Sequence, residues 1–578
     1  MAVQPCRVTR KFSRPLPETL LAILFGLLVL VEPFRVPLID PDEGRYAEIP
    51  REMLASGDYV IPHQNGVVYL EKPPLSYWLV AGSFRLFGET EEAARLPGKL
   101  ATVGTMLALF LFARRRAGER AGALAATFFG GSLLGFGLAR IVLIDPLLTA
   151  AQTGAVLAFV SLVEADADSR LRTRAPAIAF AVAAAAAVLL KGLVGVILPG
   201  GAVVLWSLVT GRWGPFRRLL APLPVAAFLV LAVPWHVAAA MREPQFLSFY
   251  FVHEHFERFL APGHRRPGPP WYFVAVIAGG FLPWTPLLPR LRAAWPGRSR
   301  AAWAARPLEA FLWIWILLVV VFFSVSKSKL IPYVHPVFPS LALLLALTVS
   351  RDRHGLELRP WERWTLTGFL GLLSAAAALA GASGLVAIPG IQAPALALSA
   401  CLLAGFLMVG SVSSIKPAEG LRVLVASWLL FLGGALGALP VYARWQGTWP
   451  IVEAIGANRR PGDLLVQRGD YAPSIPFYER QVTLLSAIGP GSELTFGRGL
   501  DRSGVFQSDE EFARVWNGPH RVLAVLHRDV LKEWMEPKRN LAPYRILATA
   551  RRDKYLLVSN DPVRIVLAAP TSPATQAW

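Results

Sequence analysis

Residues 39–78 have the sequence IDPDEGRYAEIPREMLASGDYVIPHQNGVVYLEKPPLSYW. This stretch crowds acids, bases and aromatics directly behind the apolar run of residues 17–38. A run of about 20 apolar residues can cross a bilayer, so the polar stretch begins where the chain first leaves the membrane. The number of further crossings decides the fold, and their direction decides on which side of the membrane the stretch lies.

The composition is that of a polytopic membrane protein. Hydrophobic residues make up 54% of the 578 residues, and the mean hydropathy is +0.46. The net charge is +19, but Arg and Lys cluster in short patches between apolar runs, which is typical of cytoplasmic loops and of contacts to anionic membrane lipids rather than nucleic acid. Cys6 and Cys401 are far apart and indicate neither a disulfide framework nor a metal site.

The apolar runs predict about thirteen transmembrane helices. The first run has a basic flank but no small-residue cleavage site behind it, so it is predicted to be an uncleaved helix with its N-terminus in the cytoplasm. The predicted spans are 17–38, 97–113, 118–138, 143–163, 175–190, 193–210, 219–240, 271–289, 307–326, 330–349, 364–387, 392–412 and 421–443.

The charges between these spans agree with this count. If the first span runs outward, the basic loops 114–120, 169–174, 211–218, 290–306 and 351–364 all fall inside, as the positive-inside rule requires. The loops predicted outside mix acids, histidines, lysines and tyrosines; they are 39–96, 141–146, 189–195, 246–272 and 326–336.

Two domains are predicted. Residues 1–444 form the transmembrane domain, including the external loop 39–96. Residues 445–578 alternate β-rich stretches with turn and helical signals, which predicts a small α/β domain outside the membrane, on the periplasmic side. Its strand signals are DLLVQR (463–468), HRVLAVLHRDV (520–530) and RILATARRDKYLLVSN (545–560).

Within the first external loop the pattern predicts two helices on the membrane surface. Residues 43–56 form an amphipathic helix that Gly57 ends, with a kink at Pro50, because an interior proline removes a backbone hydrogen bond. Residues 76–88 are too short between helix breakers to span and form the second.

Asp145 and Lys191 stand in strongly apolar runs. A charge at full membrane depth costs roughly 2.5–3.5 kcal/mol, so both need a partner or a function. Together with the loop charges they predict an outer-leaflet cavity in which cations bind a phosphate and carboxylates contact a polar substrate. The carboxylates are Asp42, Glu43, Glu71 and Asp145, and the cations are Arg45, Lys72, Lys191, Arg258 and Lys329.

The loop motif DEGRYAEIPREMLASGDYVIPHQNGVVYLEKPPLSYW resembles the first external loop of the bacterial aminoarabinose transferases of lipid A, which belong to the protein O-mannosyltransferase-like superfamily with the GT-C fold. Gly44 stands where that family often has Thr. The likeness extends to IDP (144–146 in this numbering), LLKGLVGVILPG (189–200), FVHEHFERFL (251–260), SKSKLIPYVHPVFPSLALLL (326–345) and, in the tail, IPFYERQVTLL (475–485) and GSELTFGRG (491–499). The family architecture also has thirteen spans and an outer C-terminal domain.

The resemblance implies roles for individual residues. Asp42 corresponds to the main catalytic aspartate, with Glu43 beside it and Asp145 as the second external aspartate. Lys72, Lys191 and Arg258 correspond to positions that hold the lipid phosphate. The remaining substrate-pocket residues are Arg45, Tyr46, Tyr69, Glu71, His253, Lys329 and Tyr333, of which Glu71 and His253 would share a divalent metal ion. A hydrogen-bonded structural role for His253 and an interfacial role for the tyrosines are the alternatives.

The predicted activity is inverting transfer of a sugar from undecaprenyl phosphate to an acceptor on the periplasmic side of the inner membrane. Cations would stabilise the charge that develops on the leaving phosphate. Asp42 would be a general base for a hydroxyl acceptor, or would position the acceptor or stabilise the oxocarbenium-like centre if the acceptor is a lipid A phosphate.

The prediction is aminoarabinose transfer to lipid A. The first alternative is a hexosyltransferase that moves mannose or another sugar to a lipid, glycan or protein. An alternative from a different class is a transporter or lipid flippase, although transporters usually place their binding sites at mid-membrane between repeated halves.

Overall fold

A computed structural model describes residues 17–165, 170–251, 268–383, 388–489, 492–500, 503–534, 541, 544–551 and 554–560. The helices of the first half, in chain order, are α1 Pro17–Leu30, α2 Asp42–Ser56, α3 Leu75–Phe87, α4 Glu91–Gly130, α5 Leu133–Leu138, α6 Asp145–Glu164, α7 Arg170–Lys191, α8 Val194–Thr210, α9 Gly214–Leu219 and α10 Pro222–Arg242.

The second half continues the helical pattern and then changes. The helices are α11 Tyr272–Gly280, α12 Arg300–Ala305, α13 Pro307–Val325, α14 Phe338–Arg351, α15 Pro360–Ala382, α16 Gln392–Ile415, α17 Gly420–Ala435, α18 Leu439–Gln446, α19 Trp449–Asn458, α20 Ser474–Glu479, α21 Thr495–Arg498, α22 Asp509–Trp516 and α23 Arg528–Trp534. Short 3₁₀ helices cover Thr285–Ala294, Ile331–Val337, Pro417–Glu419 and Leu436–Ala438.

The strands form two sheets. The strands are β1 His63–Gln64, β2 Val67–Val68, β3 Leu464–Arg468, β4 Leu484–Ser486, β5 Phe506–Gln507, β6 Val522–His527, β7 Arg545–Ala550 and β8 Tyr555–Ser559. β1 and β2 pair antiparallel, and the other six form one sheet in the order β5-β4-β3-β6-β8-β7. The first four strands of that order are parallel, and β8 and β7 are antiparallel to their neighbours.

The chain divides into two compact units. The helical unit comprises Met1–Arg35, Asp58–Ile61 and Leu70–Val441. The mixed unit comprises Val36–Gly57, Pro62–Tyr69 and Tyr442–Trp578, so it joins parts of the first external loop to the C-terminal sheet.

The helical unit contains the predicted membrane spans. Within the described ranges, nine helices are long and apolar enough to cross a membrane, while α1 and α8 are shorter apolar helices. The predicted spans 97–113 and 118–138 meet in α4, which is interrupted by non-helical backbone at Ala117 and Gly118, inside the basic loop 114–120. The predicted span 271–289 is not one straight helix, because α11 and the 3₁₀ helix Thr285–Ala294 are bent against each other by 106°.

Buried charges in the helical unit are grouped rather than isolated. The Glu32 carboxylate accepts hydrogen bonds from Arg95 and Lys99, both on α4. Arg140 donates to the carbonyl oxygens of Leu28 and Val31 at the end of α1. These contacts compensate the desolvation of charged side chains inside an apolar bundle.

The mixed unit has apolar cores on both faces of its sheet. Leu523 and Val525 of β6 pack in one core, and Val522, Ala524 and Leu526 pack in the other. Burial on both faces explains why β6 reads as a continuous apolar run. The predicted strand stretches correspond to β3, β6, β7 and β8, which confirms the α/β class of this part of the chain.

Helix α2 differs from its prediction in two respects. Ten of its 15 residues are buried, so it has no broad exposed face and is a packed element of the mixed unit. The helix continues through Pro50, where a kink was expected, and it ends at Gly57, which has φ 71° as predicted for a C-terminal cap. The second predicted helix is α3, which leaves Leu86 and Phe87 exposed.

Candidate active site

Three acids at the start of α2 and directly before it have different environments. The Asp42 side chain is 56% exposed, and its Oδ1 lies 3.6 Å from the Arg45 guanidinium. Asp40 and Glu43 are only 5% and 2% exposed. Asp42 is therefore the acid of this turn that remains accessible to a substrate.

Glu43 and Asp40 each accept hydrogen bonds from other residues of the mixed unit. Glu43 Oε2 accepts a hydrogen bond of 3.0 Å from the backbone N–H of Ile39. Asp40 Oδ1 accepts 2.9 Å from the Ser474 N–H, and its Oδ2 accepts from the hydroxyls of Thr448 (2.7 Å) and Ser474. Burial raises the pKa of Asp40 above its usual range, although the hydrogen bonds from Ser474 and Thr448 act in the opposite direction.

The close approach of α2 to Ser474 requires glycine at position 44. A Cβ on Gly44 would overlap Asp40 Oδ1 and the backbone N of Ser474. The departure from the family's usual Thr therefore has a local physical reason in this chain.

Arg45, Tyr46 and Tyr69, all predicted pocket residues, belong to the mixed unit. The Arg45 guanidinium forms an ion pair with Glu493 and lies 5.6 Å from the centre of the Tyr46 ring. Tyr46 and Tyr69 are 8% and 1% exposed. Arg45 and Tyr46 therefore contact each other in the first turns of α2, and Tyr69 is buried in the same unit.

In the helical unit the structure brings together three of the predicted residues. Asp145 begins α6 and Lys191 ends α7, and Asp145 Oδ1 lies 2.6 Å from Lys191 Nζ. The same Nζ lies 5.0 Å from the centre of the Tyr333 ring. Each charge in these apolar runs therefore has the partner that its cost demands.

Lys72, Glu71 and Lys329 also lie in the helical unit. Lys72 Nζ donates to the Glu71 carbonyl oxygen (3.0 Å) and lies 3.9 Å from the Glu71 carboxylate. Lys329 Nζ donates to the carbonyl oxygens of Ser324 and Ser326, both at 2.8 Å. Lys329 thus stabilises its own loop with two of its three ammonium hydrogens, which leaves one for the predicted contact to a substrate.

Arg258 and His253 lie outside the described residues, and the metal site predicted for Glu71 and His253 stays a prediction. Among the residues that the structure does describe, no three His, Cys, Asp or Glu side chains are grouped as metal ligands.

Sequence reasoning missed Asp40, Thr448 and Ser474, and it also missed the hydrogen bond of 2.9 Å between Thr149 and His335 beside the Asp145 pair. The only sequence signal was position. Asp40 stands two residues before Asp42, and Thr149 stands one helical turn after Asp145.

Comparison with known proteins identifies the family. A family model described as dolichyl-phosphate-mannose-protein mannosyltransferase matches residues 37–250. An undecaprenyl phosphate-alpha-4-amino-4-deoxy-L-arabinose arabinosyl transferase from Edwardsiella ictaluri is 33% identical over 454 residues, covering 78% of this chain and 76% of that relative. The chain belongs to this arabinosyl transferase family. A member from Aeromonas hydrophila is 28% identical over 544 residues, covering 92% of this chain and 94% of its own length.

A solved member of the arabinosyl transferase family has the same fold. The crystal structure of ArnT from Cupriavidus metallidurans bound to undecaprenyl phosphate matches with a TM-score of 0.79 and 28% identity, over 94% of this chain and 98% of that one. The predicted family and GT-C fold are confirmed. The chain is a glycosyltransferase and a multi-pass protein of the bacterial inner membrane, and the transporter or flippase alternative is disfavoured.

Proposed function

We propose that the chain transfers 4-amino-4-deoxy-L-arabinose from undecaprenyl phosphate to lipid A on the periplasmic side of the inner membrane. The observation that carries the proposal is the match over nearly the whole chain to an arabinosyl transferase with bound undecaprenyl phosphate. The names of the Edwardsiella and Aeromonas relatives supply the sugar. Lipid A as the acceptor follows from the first-loop motif.

The donor phosphate is held by Lys72, Lys191 and Arg258 in this proposal. Undecaprenyl phosphate is an acceptable leaving group only if its developing negative charge is stabilised, and cations supply that stabilisation. The contact with Asp145 keeps Lys191 Nζ in place before the lipid arrives. A single displacement at the anomeric carbon inverts its configuration.

Asp42 acts at the sugar in this mechanism. A lipid A phosphate is already ionised and needs no general base, so the carboxylate positions the acceptor or stabilises the oxocarbenium-like centre. Its exposure and its place in the first turn of α2 are compatible with contact to a substrate. In this proposal the first turn of α2 is held in place by Glu43, Arg45, Tyr46 and Tyr69.

The orientation is part of the proposal. The basic loops face the cytoplasm, and the first external loop and the C-terminal domain, residues 445–578, face the periplasm. A donor carried by a polyprenyl lipid and an acceptor in the outer leaflet would then meet on the same side as Asp42.

The test is mass spectrometry of lipid A from a polymyxin-sensitive strain that lacks its own transferase and expresses this chain. We expect a mass increase of one aminopentose together with polymyxin resistance, both lost in Asp42→Asn. The match to the mannosyltransferase model favours a hexosyltransferase as the second candidate. Unmodified lipid A, despite proven expression and available donor, would contradict aminoarabinose transfer and favour the hexose.

A further inference from the structure

The parallel part of the C-terminal sheet has a topological switch point. The chain runs from β3 to β4 and β5 on one side, and then returns to place β6 on the other side of β3. In open α/β sheets of this kind, ligands bind in the crevice outside the carboxyl ends of the two strands where the order reverses. Here that crevice lies behind Arg468 of β3 and His527 of β6.

The Asp40 carboxylate accepts hydrogen bonds from the segment that follows β3. Ser474 starts α20, six residues after the end of β3, and it donates to Asp40 from both its backbone N–H (2.9 Å) and its hydroxyl. The Thr448 hydroxyl adds a third donor at 2.7 Å, and its oxygen lies 2.6 Å from the Ser474 hydroxyl oxygen. Three donors on one buried carboxylate resemble the way such crevices hold an anionic ligand.

Asp40 is close in sequence to the first turn of α2, which carries Asp42. Asp40 precedes Asp42 by two residues, and the intervening backbone is tied by bonds from Glu43 N–H to Ile39 O (3.2 Å) and from Arg45 N–H to Pro41 O (3.1 Å). Gly44 allows the helix to lie against Asp40 and Ser474 without a side chain between them. Fixing the Asp40 carboxylate therefore also fixes the direction in which the Asp42 side chain leaves the helix.

We propose that Asp40, held by Ser474 and Thr448, is a positioning residue that fixes Asp42 for sugar transfer. The C-terminal sheet would then use its ligand crevice to hold the first external loop instead of a separate ligand. This inference rests on the proposed function, because it assumes that Asp42 is the catalytic carboxylate. Asp40 contacts no substrate in this scheme and acts only through the turn.

The experiment compares the purified full-length protein with Asp40→Ala, Asp40→Asn, Ser474→Ala and the control Ser486→Ala. Ser486 is also buried in the mixed unit, but its hydroxyl bonds Arg468 (2.6 Å). Two readouts are made. The first is turnover and half-saturation with the aminoarabinosyl donor and lipid A. The second is hydrogen exchange of the amides of Glu43 and Arg45.

We expect Asp40→Ala to lower kcat about 100-fold, the effect of a misplacement of about 1 Å at the reacting centre. The half-saturating donor concentration should change by less than about twofold, because the phosphate contacts are intact. Asp40→Asn keeps an acceptor for the Ser474 N–H and should retain most of the turnover, and Ser474→Ala should be intermediate. Ser486→Ala should keep the turnover of the unsubstituted protein.

Normal kcat in Asp40→Ala, or an equal loss in Ser486→Ala, would overturn the proposal. If Asp40→Ala does not fold, Ser474→Ala decides in the same way, since it removes one donor and keeps the backbone contact. If the unsubstituted protein transfers no aminoarabinose, the proposed function fails. Hydrogen exchange of the Glu43 and Arg45 amides then tests independently whether Ser474 and Asp40 hold the turn. Faster exchange of Glu43 and Arg45 in Ser474→Ala but not in Ser486→Ala supports it, and equal rates refute it.

Discussion

At the residue scale, two identical side chains have different environments. Asp40 and Asp42 stand two positions apart, yet one carboxylate is buried under three donors and the other is 56% exposed. The sequence could predict that Asp145 and Lys191 need partners, because an isolated charge in an apolar run is costly, and the two partner each other. It could not predict the partners of Asp40, which stand more than 400 residues later in the chain.

Gly44 provides the residue-scale prediction. In Gly44→Ala the new methyl group overlaps Asp40 Oδ1 and the Ser474 backbone, so we expect a loss of about 1–3 kcal/mol in the free energy of unfolding, as for other overpacked sites. The matched control is Gly456→Ala on α19 of the same unit, where a Cβ meets nothing within 4 Å. Alanine should stabilise that helix by up to about 1 kcal/mol. Denaturation in detergent, followed by tryptophan fluorescence, measures both, and equal effects would contradict the packing argument.

At the element scale, length and periodicity predicted which segments are helices or strands but not how they pack. The spans were found because a bilayer demands about 20 apolar residues, and the sheet strands because β-rich runs lie between turn signals. Helix α2 was found from its start and its Gly57 cap, but its amphipathic pattern predicted a helix on the membrane surface and did not indicate that ten of its residues are buried in the mixed unit. Its acids are hydrogen-bonded inside the unit, since Glu48 accepts two bonds from Arg51 and Glu52 accepts from the N–H groups of Asn65 and Gly66.

The acids of α2 make the stability of the mixed unit depend on pH. Burial, together with the neighbouring Glu52, raises the pKa of Glu48 well above 4.5 and outweighs the hydrogen bonds from Arg51, which lower it. The folded protein then holds a proton that the unfolded chain has released, so the free energy of unfolding falls as the pH rises from 4.5 through the raised pKa. We expect a smaller fall in Glu48→Gln, which stays neutral, when melting temperatures are compared across that range.

The control for Glu48 is Glu453→Gln, on α19 of the same unit, whose partially exposed carboxylate lies 3.2 Å from Arg444. This variant should keep the pH dependence of the unsubstituted protein. The loss of the Arg51 contact in Glu48→Gln lowers stability at every pH, so the slope and not the absolute melting temperature is decisive. Parallel curves for Glu48→Gln and the unsubstituted protein would show that Glu48 does not titrate differently on folding.

At the scale of the whole molecule, the sequence specifies membrane topology more directly than it specifies the site. Each predicted span overlaps an apolar helical segment, including the bent pair at 272–294, although α1 ends at Leu30, before the predicted end of the first span at residue 38. The basic loops alternate with the mixed-charge loops along these spans, which gives every loop a predicted side. The site was less accessible to sequence reasoning, because the mixed unit is assembled from the first loop and the last 137 residues of the chain.

Thiol labelling tests that topology in a chain whose Cys6 and Cys401 are replaced by serine. Glu510→Cys lies on an exposed position of α22, and Arg298→Cys lies on an exposed position of the basic loop 290–306. We expect a membrane-impermeant maleimide added to intact spheroplasts to label Glu510→Cys and to label Arg298→Cys only after the membrane is permeabilised. Because both side chains are exposed, accessibility to solvent does not distinguish them, and only the side of the membrane does. The reverse pattern would place Asp42 and the donor phosphate contacts in the cytoplasm, where the proposed transfer to lipid A in the outer leaflet could not occur.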